Sequence, residues 1–131
     1  MRLLLDTHIW IWSVLQPQRL ALRVAEALSD GNNELWLSPI SVWELVYLVG
    51  KKRLDLGMST EDWLHHAMGK LAVREAPVSY QVALGIERVE LPYRDPADRL
   101  LVATARVYGL TLVTADQRLI AVPDLPILAN R

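Results

Sequence analysis

Leu3-Leu4-Leu5 runs straight into Asp6, and the hydrophobic periodicity changes immediately afterwards. Three adjacent leucines make a short apolar run of the kind found in strands covered on both faces, as in parallel sheets. The next residues have helical spacing, with Ile9, Trp12 and Leu15 recurring along one face. A carboxylate at that junction stands beyond the carboxyl end of a buried strand, which is where open α/β sheets bind ligands. The chain is thereby constrained to an α/β fold. One question then decides its chemistry: whether other acids converge on Asp6.

The alternation continues along the chain. Thr7 suits a cap for a helix starting near His8 and ended by Pro17. A second helix is expected from about Leu20 to Leu28, before the turn Asp30-Gly31-Asn32-Asn33. Glu34 to Leu37 reads as a strand. Ser38-Pro39 reads as an N-cap with proline at the first position of a helix that runs to about Val49 and stops at Gly50. Ser59-Thr60-Glu61-Asp62 opens a helix to about Leu71, and Ala76-Pro77-Val78 is strand-like. A helix from Ser79 to Val89 is closed by Pro92. Asp95-Pro96 opens another, which Gly109 closes after Tyr108. Leu110 to Val113 is a strand, Arg118 to Ile120 a helical turn, and Leu125 to Leu128 an edge strand. These elements predict a central, mostly parallel sheet flanked by helices. The 131 residues predict one domain over 1–131, without repeats or linkers.

Composition narrows the chemistry. The chain has no cysteine, which excludes disulfides, thiolate zinc sites and thiol nucleophiles. Its formal net charge is −1, so any polyanion must be met by local patches or a metal rather than by bulk charge. The N-terminal apolar run is too short for a signal peptide, and no stretch approaches the ~20 apolar residues of a membrane span. A cytoplasmic location is expected.

Four acids stand out. Asp6 follows the first strand, and Asp116 follows the strand Leu110 to Val113 in Thr114-Ala115-Asp116. A cap or turn role accounts for either one taken alone. Glu44 is the only charge between Pro39 and Val49, with Ile40, Ser41, Tyr47 and Leu48 on its helical face. A carboxylate there is costly unless it is paired, binds a cation or finds a narrow solvent stripe. In Arg94-Asp95-Pro96-Ala97-Asp98-Arg99, Asp95 fits the N-cap and Asp98 the first turn, where acids are favoured. Taken together, these positions place carboxylates at two strand ends and on two helices. Such a group stays ionised only around a cation. Oxygen ligands without cysteine select a hard one, such as Mg2+ or Mn2+. A metal of this kind serves phosphodiester hydrolysis, with an unbound acid available to take the proton of water.

The segments LLLDTHIW, SPISVWELVYLVGKKRL, YRDPADRLLVATAR and LTLVTADQRL, in this order, resemble the PIN-domain ribonucleases. More narrowly, they resemble the VapC-type toxins of VapBC toxin–antitoxin pairs, and the resemblance spans essentially the whole chain. It implies a PIN-like three-layer sandwich and a metal-dependent endoribonuclease. Asp6, Glu44, Asp98 and Asp116 match the family's four acidic positions around one or two Mg2+ or Mn2+ ions. Asp95 matches the first Asp of the DPxDR segment, as a cap or outer residue. Thr7 and Thr114 match the small hydroxyl residues that orient a carboxylate or the attacking water. Arg99, with Arg94, is assigned to charge balance or RNA contact. The resemblance further implies a homodimer, inhibited by a small antitoxin whose C-terminal part covers the active-site groove. Trp10, Trp12 and Trp43 suit either such a surface or the core.

Lys51-Lys52-Arg53 suits RNA phosphates or a solvated helix end. His8 is expected to be structural. The adjacent His65 and His66 point in different directions on a helix and are expected at the surface. Two other readings fit an acidic crevice: a non-enzymatic binding module and a phosphoacceptor receiver domain. A receiver would need an acidic pair after strand one and a lysine in the last strands, and neither is present.

Overall fold

The computed structural model describes residues 1–131. Five strands form one sheet: β1 (Arg2–Leu5), β2 (Glu34–Leu37), β3 (Arg74–Glu75), β4 (Thr111–Thr114) and β5 (Ile127–Ala129). Their spatial order is β3-β2-β1-β4-β5, and every neighbouring pair is parallel. Seven α-helices surround the sheet: α1 (Thr7–Leu15), α2 (Leu22–Ser29), α3 (Pro39–Gly50), α4 (Thr60–Lys70), α5 (Tyr80–Gly85), α6 (Pro96–Tyr108) and α7 (Gln117–Ile120).

β1 is the middle strand, and Leu3, Leu4 and Leu5 are all fully buried. Side chains alternate across a strand, so the triplet serves two cores. Leu3 and Leu5 pack with Ile9, Trp10, Val24, Leu45 and Trp63 on one face. Leu4 packs with Val82, Leu101, Val102, Leu112 and Leu119 on the other. The result is the three-layer sandwich expected from the alternation of elements. Each fully buried leucine contributes roughly 1.5–3 kcal/mol, so an apolar strand at the centre anchors both layers. Trp10 and Trp63 meet edge-to-face with ring centroids 5.4 Å apart, deep in the first core.

Local signals set the helix ends. Ser38 caps α3 by accepting from the Ile40 N–H, with Pro39 at the first position. Asp95 caps α6 through the Asp98 N–H, and Gly109 ends that helix in the left-handed region at φ 64°. Only glycine takes this conformation at no steric cost.

The structure corrects two expectations. Thr7 is not the cap of α1, because the Asp6 side chain takes that role by accepting from the Thr7 N–H. The third strand is Arg74–Glu75 rather than Ala76 to Val78. The Ala76 N–H still bonds to the Leu37 carbonyl at 2.8 Å, but Pro77 has no N–H with which to extend the ladder.

Chain direction across the sheet reverses between β1 and β4. From β1 the chain moves outward to β2 and β3, and it returns to the opposite side for β4 and β5. Such a switch point opens a crevice at the carboxyl ends of the two strands. Asp6 and Thr114 stand at its floor.

Candidate active site

One crevice of about 360 Å³ is lined by Asp6, Glu44, Asp95, Asp98 and Asp116, together with His8, Trp12 and Arg118. The four acids singled out in the sequence therefore come together, with Asp95 beside them. Asp6 arrives from β1, Glu44 from the middle of α3, Asp98 from the first turn of α6, and Asp116 from the turn after β4.

Asp6 is the most constrained. Its backbone N–H extends the sheet by donating to the Val113 carbonyl at 2.9 Å. Its Oδ1 accepts the Thr7 N–H at 2.8 Å, and its Oδ2 accepts the Thr114 hydroxyl at 2.6 Å. Thr7 is buried, and its hydroxyl donates to Glu44 Oε1 at 2.8 Å while lying 2.8 Å from Ser41 Oγ. The Thr7 backbone thus serves one acid and its side chain another. Asp98, itself buried, accepts the Tyr93 hydroxyl on Oδ2 at 2.9 Å.

The electrostatics follow from burial and crowding. Burial pushes the Asp6 carboxyl above its ordinary value, against hydrogen bonds from Thr114 and Thr7 and the nearby His8. Glu44 is also raised, mainly by burial, with the charges of Asp6 and Asp95 adding to the effect. Asp98 is pushed up to about 6 by burial, reinforced by Asp95, Asp6 and Asp116. Asp116 moves the other way because it is hydrogen-bonded to Arg118.

Arg118 was not singled out in the sequence. Its Nη2 lies 3.0 Å from Asp116 Oδ2 and 3.8 Å from Asp98 Oδ2, and its Nε donates to Asp116 Oδ1 at 3.3 Å. Its guanidinium stacks 4.0 Å above the Tyr93 ring. A cation therefore already leans on two of the acids. The signal available in the sequence was position: Arg118 lies two residues after Asp116, the reach of a turn. Tyr93, five residues before Asp98, carried no comparable signal.

The donors match a hard divalent ion, being carboxylate oxygens in a chain without cysteine. No three of the Asp, Glu and His side chains are yet placed to hold one ion. Three of the carboxylates repel one another, and the fourth is drawn to Arg118. Gathering around an ion therefore requires side-chain rotation, and the raised carboxyls are the groups that gain most from it.

The remaining expected residues divide. Thr114 and Asp95 stand beside the acids as the resemblance implied. Arg94 is exposed and lines none of the crevice. Arg99 is turned away from it, with Nη1 donating to the Val89 carbonyl at 2.7 Å, so its contact is with the protein backbone. His8 is exposed on the crevice wall, and His65 and His66 are exposed on α4. Trp10 is core, Trp12 is half-buried, and Trp43 is 59% exposed on α3, stacked on Tyr47. A second, larger groove of about 490 Å³ lies between α3 and α6 and shares Glu44, Asp95 and His8 with the acidic crevice.

A family model described as PIN domain matches residues 3–125. Over 119 residues the sequence is 36% identical to Ribonuclease VapC22 of Mycobacterium tuberculosis, covering 88% of each chain. Among solved structures, VapBC2 from Rickettsia felis bound to a DNA fragment from their promoter superposes with a TM-score of 0.73 at 21% identity, over 98% of both chains. FitAcB from Neisseria gonorrhoeae gives a TM-score of 0.65 at 26% identity, over 98% of this chain and 97% of the other. DNA-bound VapBC from Salmonella typhimurium gives 0.70 at 22%, over 100% and 99%.

Proposed function

The chain belongs to the PIN-domain family, and from that premise we infer that it is an endoribonuclease that hydrolyses RNA phosphodiester bonds as the toxin of a toxin–antitoxin pair. The observation that carries the reading is the convergence of Asp6, Glu44, Asp98 and Asp116 in one crevice at the sheet's switch point. Family membership and the lack of the receiver pattern leave no support for a phosphoacceptor domain. The likeness to a ribonuclease and the crowding of the acids in one crevice favour an enzyme over a purely binding module.

In this reading Asp6, Glu44, Asp98 and Asp116 hold Mg2+ or Mn2+. When bound, the ion stabilises the charge that builds on the phosphate oxygens. The chain's own groups prepare the site. Thr114 and the Thr7 N–H fix both oxygens of Asp6, so its carboxylate does not rotate freely. The Thr7 hydroxyl holds Glu44 Oε1 and leaves its second oxygen for other partners. Tyr93 holds Asp98 Oδ2. In the metal-free chain burial pushes the Asp98 carboxyl up to about 6, so a bound cation favours its full ionisation. Asp95 acts by fixing the first turn of α6, and therefore the position of Asp98.

The partners are RNA and a VapB-type antitoxin, consistent with relatives solved as VapBC complexes. A homodimer is part of the proposal. An exposed apolar patch on α5 and α6 supports it, with Tyr80 91% and Leu84 70% exposed beside Val107. No helix is long and apolar enough to cross a membrane, and a cytoplasmic location is part of the proposal.

The test is cleavage of total RNA by the purified chain, with the cut sites mapped. Cleavage is expected with Mg2+ or Mn2+, is lost in EDTA, and is lost in a folded Asp6→Asn variant. Undiminished cleavage by Asp6→Asn, or in EDTA, would remove the reading.

A further inference from the structure

A nuclease crevice lined by five carboxylates repels the strand it must cut, and a chain of net charge −1 supplies no general attraction. The substrate therefore needs local cations beside the acids. Most arginines are committed elsewhere. Arg23, Arg99 and Arg106 donate to backbone carbonyls, and Arg118 is engaged by Asp116. Arg19 and Arg53 differ. Arg53 makes no side-chain hydrogen bond or ion pair, and the only hydrogen bond of the Arg19 side chain is to Gln16 Oε1 at a long 3.4 Å.

Both residues line a cleft of about 280 Å³ that contains no carboxylate. His8 and Trp12 belong to this cleft and also to the acidic crevice, so the two are continuous. The Arg19 guanidinium lies 4.0 Å from the Trp12 ring centroid, and the His8 ring stands 5.8 Å from Trp12. Stacking on an indole orients a guanidinium while leaving its in-plane N–H groups open, the geometry that grips phosphate with two bonds.

We propose that Arg19 and Arg53 form a phosphate-binding subsite that holds single-stranded RNA immediately beside the cut, with Trp12 positioning Arg19. This rests on the ribonuclease reading above. The strand leaves the acids past His8 and Trp12, and its next phosphates meet the two arginines. Such contacts hold and orient the strand without reading its sequence. Charge favours RNA over a protein segment as the occupant, because the cleft offers two free cations and no acid. The α3–α6 groove, which Arg53 also borders, is mainly apolar in its lining and includes Glu44 and Asp95.

The experiment measures binding of a labelled single-stranded oligoribonucleotide by fluorescence anisotropy, in EDTA, over a series of salt concentrations. Michaelis kinetics with Mg2+ are measured in parallel. Arg19→Gln and Arg53→Gln are each expected to weaken binding about three- to tenfold, and to lower the salt slope by roughly 0.7 per lost phosphate contact. KM should rise while kcat holds. Arg19→Lys and Arg53→Lys should keep most of the salt slope and lose part of the affinity, which separates charge from folding effects. Lys70→Gln, exposed at the end of α4 and lining neither the crevice nor the cleft, should change nothing. The subsite is overturned if the double Gln variant binds and cleaves RNA like the parent. It is also overturned if that variant loses only its affinity for the antitoxin, because the cleft then serves the inhibitor. A parent chain that neither binds nor cleaves RNA overturns the ribonuclease reading and the subsite together.

Discussion

The Thr114 hydroxyl donates a 2.6 Å hydrogen bond to Asp6 Oδ2, tying the end of β4 to the end of β1 across 108 positions of sequence. The Thr114 hydroxyl oxygen in turn accepts the Asp116 N–H at 3.1 Å. Thr114 thus sets the orientation of one acid by its proton and the turn of another by its lone pair. Thr114→Val keeps the volume and removes both contacts. Mn2+ affinity, measured by titration calorimetry, should fall about tenfold or more, as for other residues that orient metal ligands. Thr114→Ser should restore most of it.

Thr7 is the buried counterpart on α1. Its hydroxyl is shared between Glu44 Oε1 and Ser41 Oγ. Thr7→Val leaves both without that partner. A stability loss of about 1–3 kcal/mol is expected from denaturant unfolding, together with lower RNA cleavage. Thr7→Ser should lose much less of either. Equal stability of Thr7→Val and the parent would mean that water replaces the hydroxyl.

The raised carboxyls set a pH dependence. Asp98, at about 6, holds its proton more tightly in the folded chain than in the unfolded one. Its contribution to metal-free stability is therefore full below its ordinary value near 3.8 and is lost as pH rises through about 6. Asp6 and Glu44, also raised, act in the same direction. Thermal unfolding in EDTA should show this contribution falling between about pH 3.8 and about pH 6 and level above that. Asp98→Asn should flatten the fall and add about 1–2 kcal/mol at pH 7.5 in EDTA. Mg2+ should stabilise the parent at pH 7.5 and stabilise Asp98→Asn far less.

Arg118 competes with any divalent ion for Asp116 and Asp98. Arg118→Gln should bind Mn2+ several-fold more tightly in a direct titration without RNA, because Asp116 is released. Weaker Mn2+ binding in that variant would show instead that Arg118 holds Asp116 in place for the ion.

What could be read in advance was what local chemistry dictates. Ser38-Pro39, Asp95-Pro96 and Gly109 fixed helix ends because capping involves only neighbouring residues. The convergence of the acids was legible because a strand-end carboxylate in a parallel sheet has only one side on which to emerge. Contacts between distant segments were not legible. A threonine beside an acid looks like a cap, and only the arrival of α3 against α1 shows that the Thr7 hydroxyl belongs to Glu44. Arg99 follows Asp98 directly, yet a helix rotates successive side chains apart, and Arg99 reaches Val89. Arg53 stands out in the sequence only as part of a basic cluster and Arg19 not at all, and only the fold sets both in one cleft with Trp12.

The position of β1 between β2 and β4 has a consequence for the timing of synthesis. The first strand made is the centre of the sheet, but one of its two neighbours is contributed by residues 111–114. A nascent chain carries Asp6 and Glu44 well before Asp98, Thr114 and Asp116 exist to complete the crevice. Until β4 docks, Asp6 lacks both the Val113 carbonyl and the Thr114 hydroxyl that seat it. The cutting centre is therefore completed only with β4, and the ribosome building this chain is not exposed to its activity until Asp116 has been made.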